Sequence, residues 1–138
     1  MLKNNIQPIQ ILLVEDNSGD IELTQEAFQD AIIPNTIHVT RNGDEALDFL
    51  YKREFYKNVS RPDLILLDLN MPGKNGKEVL AIIKNDESLK DIPVLIFTSS
   101  EAENDVVKSY SLHANAYIVK PIMLPQFLEV VEDRKSVV

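Results

Sequence analysis

A chain of 138 residues with 44% hydrophobic and 26% charged residues has the composition of one compact globular domain, neither disordered nor membrane-like. It has no cysteine, which excludes disulfides, thiol catalysis and thiolate metal sites, so any metal must rest on oxygen or imidazole. With 22 Asp and Glu against 14 Lys and Arg, the formal net charge of -8 disfavours DNA as a partner, because affinity for phosphate backbones comes mainly from basic side chains. No run of about 18 apolar residues or signal-peptide pattern occurs, so a cytoplasmic protein with no membrane partner is expected.

Residues 1–8 read as a short extension. Five apolar runs come next along the chain: Ile9–Val14, Thr36–Thr40, Asp63–Leu67, Pro93–Thr98 and Ala116–Val119. Four of them are rich in Ile, Leu and Val, as strands buried on both faces of a parallel sheet require. The second mixes Ile37 and Val39 with polar neighbours and reads as an edge strand. Helical spacing separates the runs: Ile21, Thr24, Phe28 and Ala31; then Ala46, Phe49 and Leu50; Val79, Leu80, Ile82 and Ile83; Val106, Val107 and Tyr110; Phe127, Leu128 and Val131. The second helix is expected to continue through Tyr51–Tyr56. Strand and helix alternating five times predicts a doubly wound α/β domain over residues 9–133, with a tail at 134–138 and no output domain.

In such folds ligands bind beyond the carboxyl ends of the strands, so the residues there carry the argument. The first strand is followed by Glu15-Asp16-Asn17, the third by Asp68-Leu69-Asn70, the fourth ends in Thr98-Ser99-Ser100, and the fifth leads into Lys120-Pro121. The second strand contributes nothing comparable. Each has a plain explanation alone: helix capping for Glu15 to Ser18, turn chemistry for Asp68 to Gly73, a strand end for Thr98, a solvated side chain for Lys120. Together they differ, because three carboxylates aimed at one crevice repel each other unless a cation neutralises them. Few oxygen ligands favour Mg²⁺, which keeps several waters, over Ca²⁺. Phosphate is the natural substrate, with Asp68 as the attacking carboxylate and Lys120 and Thr98 on the phosphoryl oxygens. Asp20 and Asp44 lie near helix starts, where the macrodipole accounts for them, and are left out of the site. His38 and His113 are isolated and read as ordinary histidines.

These motifs resemble, in order and over nearly the whole length, the receiver domains of response regulators, the CheY-like family. Leu12-Leu13-Val14-Glu15-Asp16-Asn17 is similar to the family's first strand and acidic pair, and Leu67 to Gly76 to its phosphoacceptor motif. Thr98 matches its switch hydroxyl and Lys120-Pro121 its lysine with a cis proline. The segment from Gly43 to Tyr51 and the long stretch after it resemble the small regulators paired with bacterial phytochrome histidine kinases.

The resemblance implies a flavodoxin-like three-layer (βα)5 sandwich with strand order 2-1-3-4-5. It implies a two-component phosphorelay protein that takes a phosphoryl group from a sensor histidine kinase onto Asp68. Asp16, Asp68 and the carbonyl of Asn70 would hold Mg²⁺, Glu15 would position its waters, and Lys120 would pair with the phosphoryl oxygens. Thr98 and Tyr117 would move as a switch. Such a protein is a phosphoacceptor that assists its own phosphotransfer and slow autodephosphorylation rather than a turnover enzyme. Apolar bulk at Ile122 to Leu128 points to an exposed patch, and with it to a homodimer through the fourth helix, fifth strand and fifth helix. A phosphatase of the haloacid dehalogenase type needs a general-acid aspartate where Asn70 stands. A flavin-phosphate binder would be repelled by Glu15 and Asp16.

Overall fold

The computed structural model describes residues 7–31, 33–69, 71, 76–98 and 116–120. They contain five parallel strands, β1 (Ile9–Val14), β2 (Asn35–Thr40), β3 (Leu64–Asp68), β4 (Val94–Thr98) and β5 (Ala116–Val119), in the order β2-β1-β3-β4-β5. The helices are α1 (Ser18–Gln29), α2 (Gly43–Leu50) and α3 (Gly76–Lys84), with a 3₁₀ turn at Glu54–Tyr56. This is the flavodoxin-like order expected from the sequence, with β2 at the edge. The fourth and fifth helices expected around Val106 and Phe127 lie outside the described residues.

The strands are apolar throughout because both faces of the sheet are covered. Ile11, Leu13, Leu64, Leu66 and Leu95 point to one side, where they pack with Ile21 and Phe28 of α1. Leu12, Val14, Ile65, Leu67, Val94 and Ile96 point to the other, against Ala46, Leu47, Phe49 and Leu50 of α2 and Val79, Leu80 and Ile83 of α3. Full burial of each large aliphatic side chain stabilises by about 1.5–3 kcal/mol, so both faces of the sheet contribute to the core.

Strand ends depart from the sequence reading by a residue. β3 begins at Leu64 rather than Asp63, because Asp63 is taken up in a clamp on Gln10. Its N–H donates to the Gln10 carbonyl at 2.7 Å while its carboxylate accepts the Gln10 N–H at 2.9 Å. The same strand runs one residue further and includes Asp68. α1 stops at Gln29, so Ala31 lies beyond it rather than on its buried stripe.

The largest difference is at α2, which does not continue to Tyr56. It ends at Leu50 in a Schellman motif. The Lys52 N–H donates to the Phe49 carbonyl at 3.1 Å and the Arg53 N–H to the Asp48 carbonyl at 2.8 Å. That geometry needs a left-handed residue at Lys52, and its φ is 56°. Periodicity does not reveal this stop because the position has no glycine to announce it. Tyr51 Oη then donates to Asp86 Oδ2 at 2.5 Å and Arg61 to the Ser88 carbonyl, strapping the segment after α2 to the loop after α3. Phe55 is left 96% exposed.

A lysine in the left-handed region carries strain of roughly 1–2 kcal/mol that glycine does not. Lys52→Gly is therefore expected to stabilise the fold by up to about 1 kcal/mol after the entropy of the added glycine is counted. Urea unfolding should show a higher midpoint at unchanged slope.

Candidate functional site

Strand register builds the site. Val14 of β1 pairs with Leu67 of β3, so the next residues, Glu15 and Asp68, emerge side by side where the strand order reverses. Both are buried, at 0% and 4% exposure. Glu15, Asp16 and Asp68 each place a carboxylate oxygen within 4.8 Å of the other two. Capping does not consume this acidic pair: Asn17 alone caps α1, its Oδ1 accepting the Asp20 N–H at 2.9 Å. Glu15 Oε2 accepts the Asn17 N–H at 3.1 Å, which aims the other oxygen into the crevice.

Lys120 answers that charge. β5 lies two strands from β3, about 10 Å at the usual strand spacing, so a long flexible stem suits the task. Its ammonium lies 2.6 Å from Glu15 Oε1, 2.9 Å from Asp20 Oδ2 and 3.5 Å from Asp68 Oδ2, with its side chain 11% exposed. Burial alone would lower the Lys120 pKa. The close ionic contact with Glu15, the hydrogen bond Lys120 donates to Asp20 and the negative charge of Asp68 outweigh burial and raise it above the ordinary 10.5. The contact at Glu15 Oε1 is ionic, and no aligned hydrogen bond reaches this buried oxygen among the described residues. Glu15, Asp20 and Asp68 around one ammonium, with the Asp16 carboxylate beside Glu15 and Asp68, leave negative charge that a hard divalent cation would neutralise, so the donor set fits such an ion.

Two residues belong here that the sequence reading left out. Asp20 is more than a helix-dipole residue, since its carboxylate pairs with Lys120. The signal available was its place one turn after Asp16, in the first turn of a helix that starts at the crevice. Arg41, just after β2, brackets the acidic loop. Its guanidinium donates to the Asp16 carbonyl at 3.1 Å and the Ser18 hydroxyl at 2.9 Å. The end of the second strand thus does contribute, through backbone positioning. His38 is ordinary, as expected: its Nε2 meets Gln10 Oε1 at 2.7 Å and its ring lies against Phe49.

Gly76, the first residue of α3, sits against the backbone of Asp68 and Leu69. A Cβ there would lie 2.4 Å from the Asp68 carbonyl oxygen and 2.6 Å from Leu69 Cα. The Gly76 N–H donates to the Leu69 carbonyl at 3.2 Å, so α3 starts pressed on the backbone that presents Asp68. Asn70, Pro121, His113 and the patch at residues 122–128 lie outside the described residues, as do the side chains of Thr98 and Tyr117.

An open parallel α/β sheet carrying buried carboxylates and a lysine at its switch point defines a class, and comparison places the chain in it. The response regulator receiver domain model matches residues 11–132, and the chain belongs to that family. Its relatives include the response regulator Rcp1 of Synechocystis sp. (strain ATCC 27184 / PCC 6803 / Kazusa), 44% identical over 129 residues that cover 94% of this chain and 88% of Rcp1. The solved Mn²⁺-bound form of Rcp1 superposes with a TM-score of 0.75 at 44% identity, covering 94% of each chain. The bacteriophytochrome response regulator AtBRR gives a TM-score of 0.85 at 42% identity over 92% of each chain. The phosphorylated cyanobacterial phytochrome response regulator RcpA gives 0.76 at 46% identity, over 94% of this chain and 92% of its own. The chain is thus a receiver-domain response regulator homologous to phytochrome response regulators. Among the described residues no helix is long and apolar enough to cross a membrane.

The close approach at Gly76 makes a clear expectation. Gly76→Ala should cost about 1–3 kcal/mol, the range for forcing an added methyl into a packed site, because the obstacle is backbone and cannot swing away. Chemical denaturation measures it. An alanine at the neighbouring helical position Lys77, exposed, should change stability by less than about 0.5 kcal/mol.

Proposed function

We propose that this regulator accepts a phosphoryl group on Asp68 from a sensor histidine kinase of the phytochrome type, using Mg²⁺ held by Asp16, Asp68 and Asn70 with Glu15 behind them. The observation that carries the reading is the buried Asp68 carboxylate, adjoining Glu15 and Asp16 and 3.5 Å from the Lys120 ammonium. A carboxylate buried beside two others is costly for folding and useful for chemistry. The Mn²⁺-bound form of Rcp1 and the phosphorylated form of RcpA support it.

In the reaction a carboxylate oxygen of Asp68 attacks the phosphorus of a phosphohistidine. The P–N bond breaks, the imidazole leaves with its electron pair, and an acyl phosphate forms. Mg²⁺, when bound, neutralises charge on the transferring phosphoryl oxygens. Lys120 would supply a second positive charge, already largely desolvated and 3.5 Å from the Asp68 carboxylate. Hydrolysis reverses the modification when water attacks the phosphorus and releases phosphate, restoring the carboxylate. Because Asp68 is consumed and regenerated by separate partners, the protein acts as a phosphoacceptor with slow autodephosphorylation. Thr98 and Tyr117, on β4 and β5, are the residues we assign to the resulting switch, and a homodimer through the fourth helix, fifth strand and fifth helix is the proposed user of the changed surface. A cytoplasmic site of action suits a kinase partner.

Incubation with acetyl phosphate should add one phosphoryl mass in the presence of Mg²⁺ and none in its absence, and Asp68→Asn should abolish the addition while leaving the circular dichroism spectrum unchanged. Modification of Asp68→Asn at the wild-type level would overturn the assignment. Mg²⁺ at about ten times its dissociation constant should stabilise the fold by about 1.4 kcal/mol. Asp16→Asn should weaken the affinity by about tenfold or more through the loss of a ligand, read as a rightward shift of the Mg²⁺ titration of the thermal midpoint. Sedimentation with and without phosphorylation tests the dimer.

A further inference from the structure

Of the three carboxylates paired with Lys120 among the described residues, Asp68 is the most distant. The ammonium lies at 2.6 and 2.9 Å from Glu15 and Asp20 but 3.5 Å from Asp68. Glu15 is inside the crevice, next to Asp68. Asp20 is not: it stands on the first turn of α1, and its side chain is 33% exposed. Its backbone is held firmly. Its N–H donates to the Asn17 cap at 2.9 Å and its carbonyl accepts the Thr24 hydroxyl at 2.8 Å. With its backbone fixed, Asp20 presents a partly exposed carboxylate to the same ammonium that approaches Asp68.

We propose that Asp20 is a positioning residue that competes with the phosphoryl group for Lys120 and so sets how strongly the phosphorylated form is held. The inference rests on the reading of Asp68 as phosphoacceptor. A lysine has three donors and a compact charge, and each hydrogen bond spent on Asp20 draws the ammonium from the anion at Asp68. Two electrostatic effects share one sign. Asp20 engages the cation that the phosphoryl oxygens need, and its own charge repels a new anion in the crevice. Neutralising Asp20 while keeping its shape should strengthen anion binding at Asp68. A residue that merely braces α1 to β5 would do the reverse, because loosening the brace would loosen the site.

Beryllofluoride, a phosphoryl mimic that attaches to an aspartate with Mg²⁺ present, reads the effect at equilibrium. Calorimetric titration at saturating Mg²⁺ should show Asp20→Asn binding it about three- to tenfold more tightly than wild type, where tenfold corresponds to about 1.4 kcal/mol. Asp20→Glu, which keeps the charge, should return toward wild type. Unchanged or weaker beryllofluoride binding by a folded Asp20→Asn overturns the proposal. So does a loss of Mg²⁺ affinity of tenfold or more in that variant, which would make Asp20 a metal ligand instead. Failure of the wild type to bind beryllofluoride overturns the Asp68 reading itself, a result distinguishable from all of these.

Discussion

Two buried carboxylates side by side are an unfavourable arrangement, and the structure at the crevice is organised around it. The pairing of Val14 with Leu67 leaves Glu15 and Asp68 no choice of position. Removing charges from water costs several kcal/mol each, and the repulsion between two of one sign adds to that. Lys120 offsets part of it from β5, which explains why a lysine at that distance is held nearly buried. Asn17 and Arg41 contribute by fixing backbone, one through the helix cap and one through the Asp16 carbonyl, so that the acidic loop cannot relax by swinging outward.

Much of this is legible in the amino-acid sequence, for a physical reason. Strands buried on both faces leave continuous apolar runs, and the polar residues that interrupt them mark strand ends almost to the residue, as at Val14 and Val119. Glu15, Asp16, Asp68 and Lys120 are brought together as their positions after those runs imply. Contacts that depend on where a side chain reaches are less legible. Asp20 looks like a helix-dipole residue because its partner is 100 residues away, and Arg41 looks like a loop residue because its targets are a carbonyl and a hydroxyl. The end of α2 escapes the periodicity because the left-handed position holds lysine, so the usual glycine punctuation is missing.

The acidic loop draws on every layer that meets at this end of the sheet. Its backbone is tied to β2 through the Glu15 N–H, which donates to the Thr40 carbonyl at 3.0 Å, and to the residue beyond through Arg41. Its side chains face β3 and β5. A change of charge at Asp68 therefore acts on groups anchored in different strands, which is the physical condition for a local event to be felt across a surface.

The stretch between α2 and β3 is bounded by two independent clamps. The Schellman turn closes α2 at Lys52 and Arg53 using only carbonyls of the helix itself, and the Asp63–Gln10 pair sets the entry of β3 using only β1. The residues between them are free of the task of setting the register on which Glu15 and Asp68 depend. Closing a longer loop costs only about 0.6 kcal/mol for each doubling of its length. The exposed stretch around Phe55 is accordingly where the domain can accept insertions or a grafted epitope with its chemistry preserved, whereas one residue added after Asp63 would turn β3 over and exchange the side chains of its two buried faces.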